Sequence, residues 1–147
     1  MGEYIPTQAY DLNRILSGSL YNGVVAKTNT FIVGPEASGK SSFMCLNFAA
    51  AQKMGYFPVI FDTEGAWTDE FCQRWGIDIE NAAIFSNLWI EDIMTEMTVM
   101  IKEDWRKMAL VIDSVGGLES YKMITDGAGD RVGTKRGGVK VYQGDDP

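Results

Sequence analysis

One glycine-rich segment has the residue types and the spacing that bind phosphate groups. Residues 34–41 read GPEASGKS and satisfy the pattern G-x-x-x-x-G-K-[ST]. Glycines let consecutive backbone N–H groups point inward at the start of a helix, where together they bind an anion. Lys40 can reach the β- and γ-phosphates of a nucleoside triphosphate, and the Ser41 hydroxyl can ligate Mg²⁺. The residues predicted to contact the nucleotide here are Gly34, Pro35, Glu36, Ala37, Ser38, Gly39, Lys40, Ser41 and Ser42.

Carboxylates at the ends of two apolar runs could complete such a site. Asp113 ends the run ALVID, and the run PVIF leads into Asp62 and Glu64. The carboxyl ends of parallel strands meet at one edge of a sheet, where ligands of open α/β sheets bind. Asp113 is predicted to hold the hydration shell of Mg²⁺, and the alternative is a strand-end Asp that caps the next turn. Either Asp62 or Glu64 could orient an attacking water, and spacing alone does not choose between them.

Alternating apolar segments predict the strands and helices that would position these residues. The glycine-rich motif follows a predicted strand and opens a predicted helix, which argues against an incidental glycine-rich turn. A methionine-rich stripe with helical spacing is expected to pack in the core. Its members are Ile90, Ile93, Met94, Met97, Ile101, Trp105 and Met108. The alternation predicts an α/β fold with a parallel sheet covered on both faces. The predicted strands are 31–33, 58–61, 82–85 and 109–112, and the predicted helices are 9–16, 40–54, 68–75 and 90–107.

The composition of the chain changes after about residue 125. Residues 126–147 are glycine-rich, polar and without helical periodicity. We therefore expect a core over residues 1–125 followed by a loop or tail over residues 126–147. Within that tail, Gly138–Gln143 could form one short strand.

Charge and composition limit the classes of protein to which the chain can belong. The net charge is −7, so nucleic acid would have to bind at a local basic patch. Cys45 and Cys72 are expected to be free thiols, and the absence of histidine excludes histidine-based catalysis. No apolar run approaches the roughly 20 residues of a membrane helix, and the first ten residues lack secretory-signal features. We expect a cytoplasmic protein that does not contact the membrane.

Three segments together resemble the ATPase core of the RecA-family homologous-recombination proteins, especially bacterial RecA and phage UvsX-like recombinases. They read GPEASGKSSF, FDTEGAWTDEFCQRWGIDIEN and LVIDSVGGLES, and the likeness covers about residues 12–120. The middle segment is the most specific, because a strand ending in D-x-E before a short helix and R-x-G-[IV]-D is typical of this family. The resemblance implies a RecA-like P-loop NTPase core, ATP as the nucleotide and DNA-dependent ATP hydrolysis.

The resemblance also implies a role for each matched polar residue. Glu64, rather than Asp62, matches the catalytic carboxylate of the family. Lys40 matches the phosphate-binding lysine of the family and is expected, with Glu64, to be catalytic. Ser41 and Asp113 match the two residues that hold Mg²⁺.

Two aromatic residues, Trp67 and Phe71, could stack on a nucleotide base. Aromatic residues on a helix more often pack in the core, and the sequence pattern alone favours the core for both. The resemblance favours the functional alternative for Phe71, which matches an aromatic residue that the family places over the adenine. Thr68 falls where the family often has a polar contact to the adenine.

The sequence departs from that family after about residue 120. The first DNA-binding loop would begin near Glu119–Asp126, where the sequence becomes glycine-rich, and the second loop and later strands have no counterpart. In this fold class the strand after Asp113 normally lies between the P-loop strand and the Asp113 strand. We therefore expect a gap in the sheet and a fold that is incomplete at its C-terminal end, as in a truncated or interrupted gene product. Gly138–Gln143 could imitate the missing strand.

Three functions are compatible with these observations. The first is a RecA-like recombinase that binds single-stranded DNA, forms a homo-oligomeric filament and promotes strand exchange in DNA recombination and repair. The second is an ATP-binding switch or regulatory protein of the same fold that does not act on DNA, favoured by the acidic charge and the missing DNA-binding loops. The third is an inactive fragment. DNA-stimulated ATP hydrolysis distinguishes the first from the other two.

Overall fold

A four-stranded sheet organises the chain in the computed structural model, which describes residues 2–86, 88–103, 107–120 and 139–141. A separate two-stranded ribbon forms near the N-terminus. The strands are β1 (Tyr4–Ile5), β2 (Val24–Val25), β3 (Phe57–Asp62), β4 (Ala83–Ser86), β5 (Met108–Asp113) and β6 (Val139–Val141). The helices are α1 (Tyr10–Ser17), α2 (Lys40–Lys53), α3 (Asp69–Arg74) and α4 (Ile90–Glu103), with short 3₁₀ turns at Ile79–Asn81 and Val115–Gly117.

The larger sheet has the order β5-β3-β4-β6. Strands β5, β3 and β4 are parallel to one another, and β6 pairs antiparallel with β4. The register places Asp62 of β3 directly beside Asp113 of β5, so the carboxyl ends of the two strands lie together. The predicted parallel α/β fold is therefore confirmed.

Helices cover both faces of this sheet. Successive strand residues point to opposite sides, so each face presents apolar side chains to a helix. On one face, Ile60 and Val111 join a buried cluster with residues of α2 and α3. On the other face, Val59 and Phe61 join a second cluster that contains Ile93 of α4. The strands are consequently apolar on both sides, as expected for a buried parallel sheet.

Apart from the strand at residues 31–33, the predicted helices and strands form close to their expected positions. Where both ends of an element are described, each end lies within one residue of the prediction. The helix predicted over residues 90–107 is observed as α4, Ile90–Glu103, and residues 104–106 lie outside the described part. Ile93 and Met97 pack in the core on the α4 side of the sheet, which confirms the core assignment for that part of the stripe. The core assignment is wrong for three other members of the stripe, since Ile90, Met94 and Ile101 are 40%, 59% and 65% exposed.

The strand predicted at residues 31–33 does not form, and that prediction is wrong. The segment makes no strand pairing, and Phe31 and Val33 are 85% and 92% exposed. A strand needs a neighbour for its backbone N–H and C=O groups. Among the described residues β5 ends the sheet, and a groove of about 390 Å³ lies beside it, lined by Ile32, α2 and β5. This is the side on which the sequence predicted a gap.

The strand predicted within Gly138–Gln143 is observed as β6, but not where a replacement for the missing strand would lie. It pairs antiparallel with β4, at the opposite edge of the sheet from the groove. The edge of β4 supplies backbone hydrogen-bond partners for β6. The prediction that this segment imitates the missing strand is therefore wrong. The rest of residues 126–147 lies outside the described part, and a boundary near residue 125 stays a prediction.

No helix in the described ranges combines the length and the apolar character needed to span a membrane.

Candidate functional site

The glycine-rich loop ends in a left-handed backbone conformation that glycine adopts more easily than other residues. Gly39 has a φ of 87° and directly precedes α2, whose first turn is not capped by any described side chain. The first N–H groups of an α-helix have no partner within the helix, and they carry the positive end of the helix dipole. The loop before the helix is exposed, and the residues of the first helical turn are half-buried beneath it. This arrangement can bind an anion such as a phosphate.

Lys40 spans the loop that precedes it. Its Nζ donates hydrogen bonds to the carbonyl oxygens of Gly34 at 3.0 Å and Pro35 at 2.8 Å. A Cβ on Gly34 would lie 2.9 Å from Ser38 Oγ, so the two ends of the loop approach each other closely. The ammonium group is therefore held beside the loop backbone, close to the N-terminus of α2.

A hydrogen bond connects this loop to the carboxyl end of β5. Ser41 Oγ donates to Asp113 Oδ2 at 3.0 Å, although the two residues are far apart in sequence. Asp113 is only 7% exposed, and its Oδ2 also accepts from Trp67 Nε1 at 2.8 Å. A hydroxyl and a carboxylate are the hard oxygen ligands that Mg²⁺ prefers. The residues present therefore fit a magnesium ion at this position.

Trp67 is not placed to stack on a base. It is 3% exposed and packs edge-to-face against Phe48 and Phe71, so the core alternative was the right one. Its N–H instead fixes the carboxylate of Asp113. Sequence reasoning missed this role. The only signal available is that a buried indole N–H usually finds an acceptor, and the pattern does not say which acceptor.

Asp62 organises the loop that follows β3. It is 4% exposed, and its Oδ1 accepts the backbone N–H groups of Glu64, Gly65 and Ala66 at 2.8–3.2 Å. Its Oδ2 accepts the N–H of Trp67 at 2.9 Å. These four donors occupy most of what a carboxylate can accept. Asp62 is therefore a structural residue of the loop rather than a free base.

Glu64 lies two residues further on and is exposed. Its Oε1 accepts a hydrogen bond from Ser114 Oγ at 2.7 Å. Ser114 directly follows Asp113, so the carboxylate of Glu64 is held at the same edge of the sheet as the Ser41–Asp113 pair. The geometry brings together four of the predicted residues: Lys40, Ser41, Glu64 and Asp113.

The two residues expected near an adenine lie at the start of α3. The exposed Thr68 caps this helix, and its hydroxyl accepts the N–H of Phe71 at 3.2 Å. Phe71 is half-buried and makes edge-to-face contacts with Trp67 and Trp75. Both residues thus have structural roles, but each retains an exposed surface.

Both cysteines are buried free thiols, as predicted. Cys45 of α2 and Cys72 of α3 belong to the same core cluster. Burial raises the pKa of Cys45 to about 12 and that of Cys72 to about 11. Both thiols are therefore protonated near neutral pH, and neither supplies a reactive thiolate to the candidate site.

The fold and this cluster of polar residues define a parallel α/β protein with a candidate ligand site at the carboxyl edge of its sheet. The model of the family described as RecA N-terminal domain matches residues 3–137. The chain therefore belongs to the RecA N-terminal domain family, and the resemblance found in the sequence is confirmed.

Curated relatives agree with this assignment. Protein RecA of Symbiobacterium thermophilum is 33% identical over 129 residues, which are 87% of this chain and 35% of that protein. Protein RecA of Roseiflexus castenholzii is 30% identical over the same shares of the two chains. Protein RecA of Rhizobium leguminosarum bv. viciae is 33% identical over 101 residues, 69% of this chain and 28% of that protein. The chain thus spans about a third of the length of these relatives.

Proposed function

We propose that this chain binds Mg²⁺-ATP and hydrolyses it as the nucleotide-binding part of a RecA-like recombinase. The observation that carries the proposal is the 3.0 Å hydrogen bond between Ser41 and Asp113. It joins an anion-binding loop at a helix N-terminus to a buried carboxylate at the edge of a parallel sheet. Phosphate and magnesium recognition need these two features side by side.

The loop would bind the triphosphate through its backbone and through Lys40. Residues 34–42, apart from Pro35, supply backbone N–H groups in the loop and in the first turn of α2. The ammonium group of Lys40 would exchange the carbonyl oxygens of Gly34 and Pro35 for phosphate oxygens. Phe71 and Thr68 at the start of α3 would contact the adenine. Their exposed surfaces allow this, and the choice of adenine rests on the family.

Ser41 and Asp113 would hold the magnesium ion, Asp113 through ordered water. When bound, Mg²⁺ neutralises the charge that develops on the phosphates. Trp67 supports this arrangement, because its N–H fixes the orientation of the Asp113 carboxylate.

Glu64 would orient the attacking water and accept its proton. Phosphoryl transfer depends mainly on positioning and on charge placement, so a single well-placed carboxylate has a large effect on the rate. Asp62 is the other candidate from the sequence, but its carboxylate already accepts four backbone N–H groups. Glu64 is exposed at the edge where the phosphates would lie.

Single-stranded DNA, a homo-oligomeric filament and a cytoplasmic location belong to the same proposal. They are supported by membership of the RecA family and by two free buried thiols, which suit a reducing compartment. The first DNA-binding loop was predicted to begin near Glu119–Asp126, and beyond Ser120 that segment lies outside the described residues. The net charge of −7 favours a second candidate, an ATP-dependent switch that does not act on DNA.

Replacing Glu64 by Gln tests the catalytic assignment. We expect Glu64→Gln to bind a fluorescent ATP analogue with unchanged affinity and to lose turnover by about 100-fold or more, since the amide cannot accept a proton. Glu80→Gln, which changes an exposed glutamate on a distant 3₁₀ turn, is the matched control and should keep wild-type turnover. Wild-type turnover in Glu64→Gln would contradict the role of Glu64.

The same assay with and without single-stranded DNA distinguishes the two candidate functions. A recombinase hydrolyses ATP faster when DNA is present. Equal rates with and without DNA would instead support the DNA-independent switch. A chain that neither binds nor hydrolyses ATP would contradict both candidates.

A further inference from the structure

Side-chain hydrogen bonds connect β3 and β5 just beyond their carboxyl ends. Thr63 Oγ1 lies 3.0 Å from the carbonyl oxygens of both Asp113 and Ser114, which share its proton. The same oxygen accepts the backbone N–H of Ser114 at 2.8 Å. Ser114 Oγ then donates to Glu64 Oε1 at 2.7 Å. We call this group of Thr63, Ser114 and Glu64 the clasp.

Backbone contacts of Thr63 also hold the clasp in place. The N–H of Thr63 donates to the carbonyl of Asp113 at 2.9 Å, which continues the β3–β5 ladder. The 3₁₀ turn after β5 also packs closely on Thr63, because a Cβ on Gly117 would lie 2.9 Å from Thr63 Oγ1. The backbone of Ser114 is therefore held by hydrogen bonds to Thr63.

Glu64 has few other restraints. It is exposed and precedes Gly65, whose φ of 74° turns the chain away from the strand. An exposed glutamate samples many rotamers, and fixing one of them costs conformational entropy. A hydrogen bond from a hydroxyl to a carboxylate is short and comparatively strong, so it can select one orientation.

We propose that Ser114 is a positioning residue, which holds the carboxylate of Glu64 in the orientation that directs the attacking water. This inference rests on the proposed function of Glu64. Ser114 Oγ occupies Oε1 and leaves Oε2 to accept the proton of the water. Thr63 holds the backbone of Ser114 in turn.

Ser114 connects two proposed functional groups of the site. It directly follows Asp113, the proposed magnesium residue, so one peptide unit separates the group that holds the metal from the group that orients the water.

Replacing Ser114 by Ala tests the proposal. We expect the kcat for ATP to fall about 10-fold while KM changes less than about twofold, because the residue acts on orientation and does not contact the nucleotide. Ser114→Thr keeps the hydroxyl and should recover most of the kcat, since the extended backbone at Ser114 (φ −118°, ψ 161°) accommodates a β-branched residue. Ser86→Ala, at the same edge of the sheet on β4, is the matched control and should keep wild-type values.

The double variant separates this inference from the proposed function. If Ser114 acts only through Glu64, Ser114→Ala adds no further loss to Glu64→Gln. An equal loss in both backgrounds, or wild-type kcat in Ser114→Ala, would overturn the inference while leaving the role of Glu64 intact. Wild-type turnover in Glu64→Gln would instead overturn the proposed function.

A crystal structure supplies a readout that needs no turnover. The Glu64 side chain should occupy one conformer in the wild type and several in Ser114→Ala, with the rest of the fold unchanged. A single identical conformer in both proteins would overturn the inference even if no hydrolysis were detected.

Discussion

Asp62 and Glu64 are separated by one residue, yet their surroundings suit them to different tasks. Asp62 is buried and accepts four backbone N–H groups, whereas Glu64 is exposed and accepts one hydroxyl. The sequence shows only that both follow an apolar strand. The local path of the loop decides the difference, because it turns its N–H groups toward Asp62.

Replacing Asp62 by Asn tests this division of roles through stability. The amide presents N–H donors to backbone N–H groups, so Asp62→Asn should lower the free energy of unfolding by about 1–3 kcal/mol. Glu64→Gln is the matched control on the same loop and should stay within about 0.5 kcal/mol of the wild type. Urea denaturation measures both, and equal stabilities of the two variants would contradict the structural role of Asp62.

Among the polar residues of the site, the sequence could predict those defined by a motif. Lys40, Ser41 and Asp113 come together because the loop opens a helix and the strands are parallel, and both properties are visible in the pattern. The contributions of Trp67 and Ser114 could not be predicted. They depend on which buried acceptor lies within reach of a side chain, and that follows only from the packed structure.

At the scale of elements, hydrophobic periodicity predicted the alternation of strands and helices well. The failure at residues 31–33 has a physical cause, since a short apolar run becomes a strand only when a neighbouring strand supplies hydrogen-bond partners. Among the described residues, the groove beside β5 holds no strand that could do so. The antiparallel pairing of β6 with β4 could not be predicted either, because periodicity does not identify the partner of a strand.

Two phenylalanine substitutions test the position of this segment. Phe31 is 85% exposed, so Phe31→Ala should change the free energy of unfolding by no more than about 0.5 kcal/mol. Phe61 is fully buried on β3, and Phe61→Ala should cost about 3–5 kcal/mol. Similar losses in the two variants, measured by urea denaturation, would show that Phe31 is buried in solution.

At the scale of the whole molecule, the core between the sheet and the helices α2 and α3 contains two thiols that respond to pH. Burial raises the pKa of Cys45 to about 12 and that of Cys72 to about 11, whereas the pKa of a thiol in the unfolded chain is about 8.5. As the pH rises above about 8.5, the unfolded state loses these protons first. The contribution of the thiols to stability is therefore complete below that pH and is lost as the pH approaches 11 to 12.

Alkylation measures the protection of these thiols directly. At pH 8 the folded chain should resist iodoacetamide, because both thiols are buried and protonated, and both should react once urea unfolds the chain. Mass spectrometry counts the modified cysteines. Rapid alkylation of the folded chain would contradict the packing of α2 and α3 on the sheet.

The central claim is that the Ser41–Asp113 pair belongs to a magnesium-nucleotide site, and calorimetric titration with ATP tests it most directly. The wild type should bind ATP at least about tenfold more tightly with Mg²⁺ than with EDTA. Ser41→Ala should reduce that difference to about twofold or less. A wild type that binds no ATP, or a Ser41→Ala variant with the full magnesium dependence, would contradict the claim.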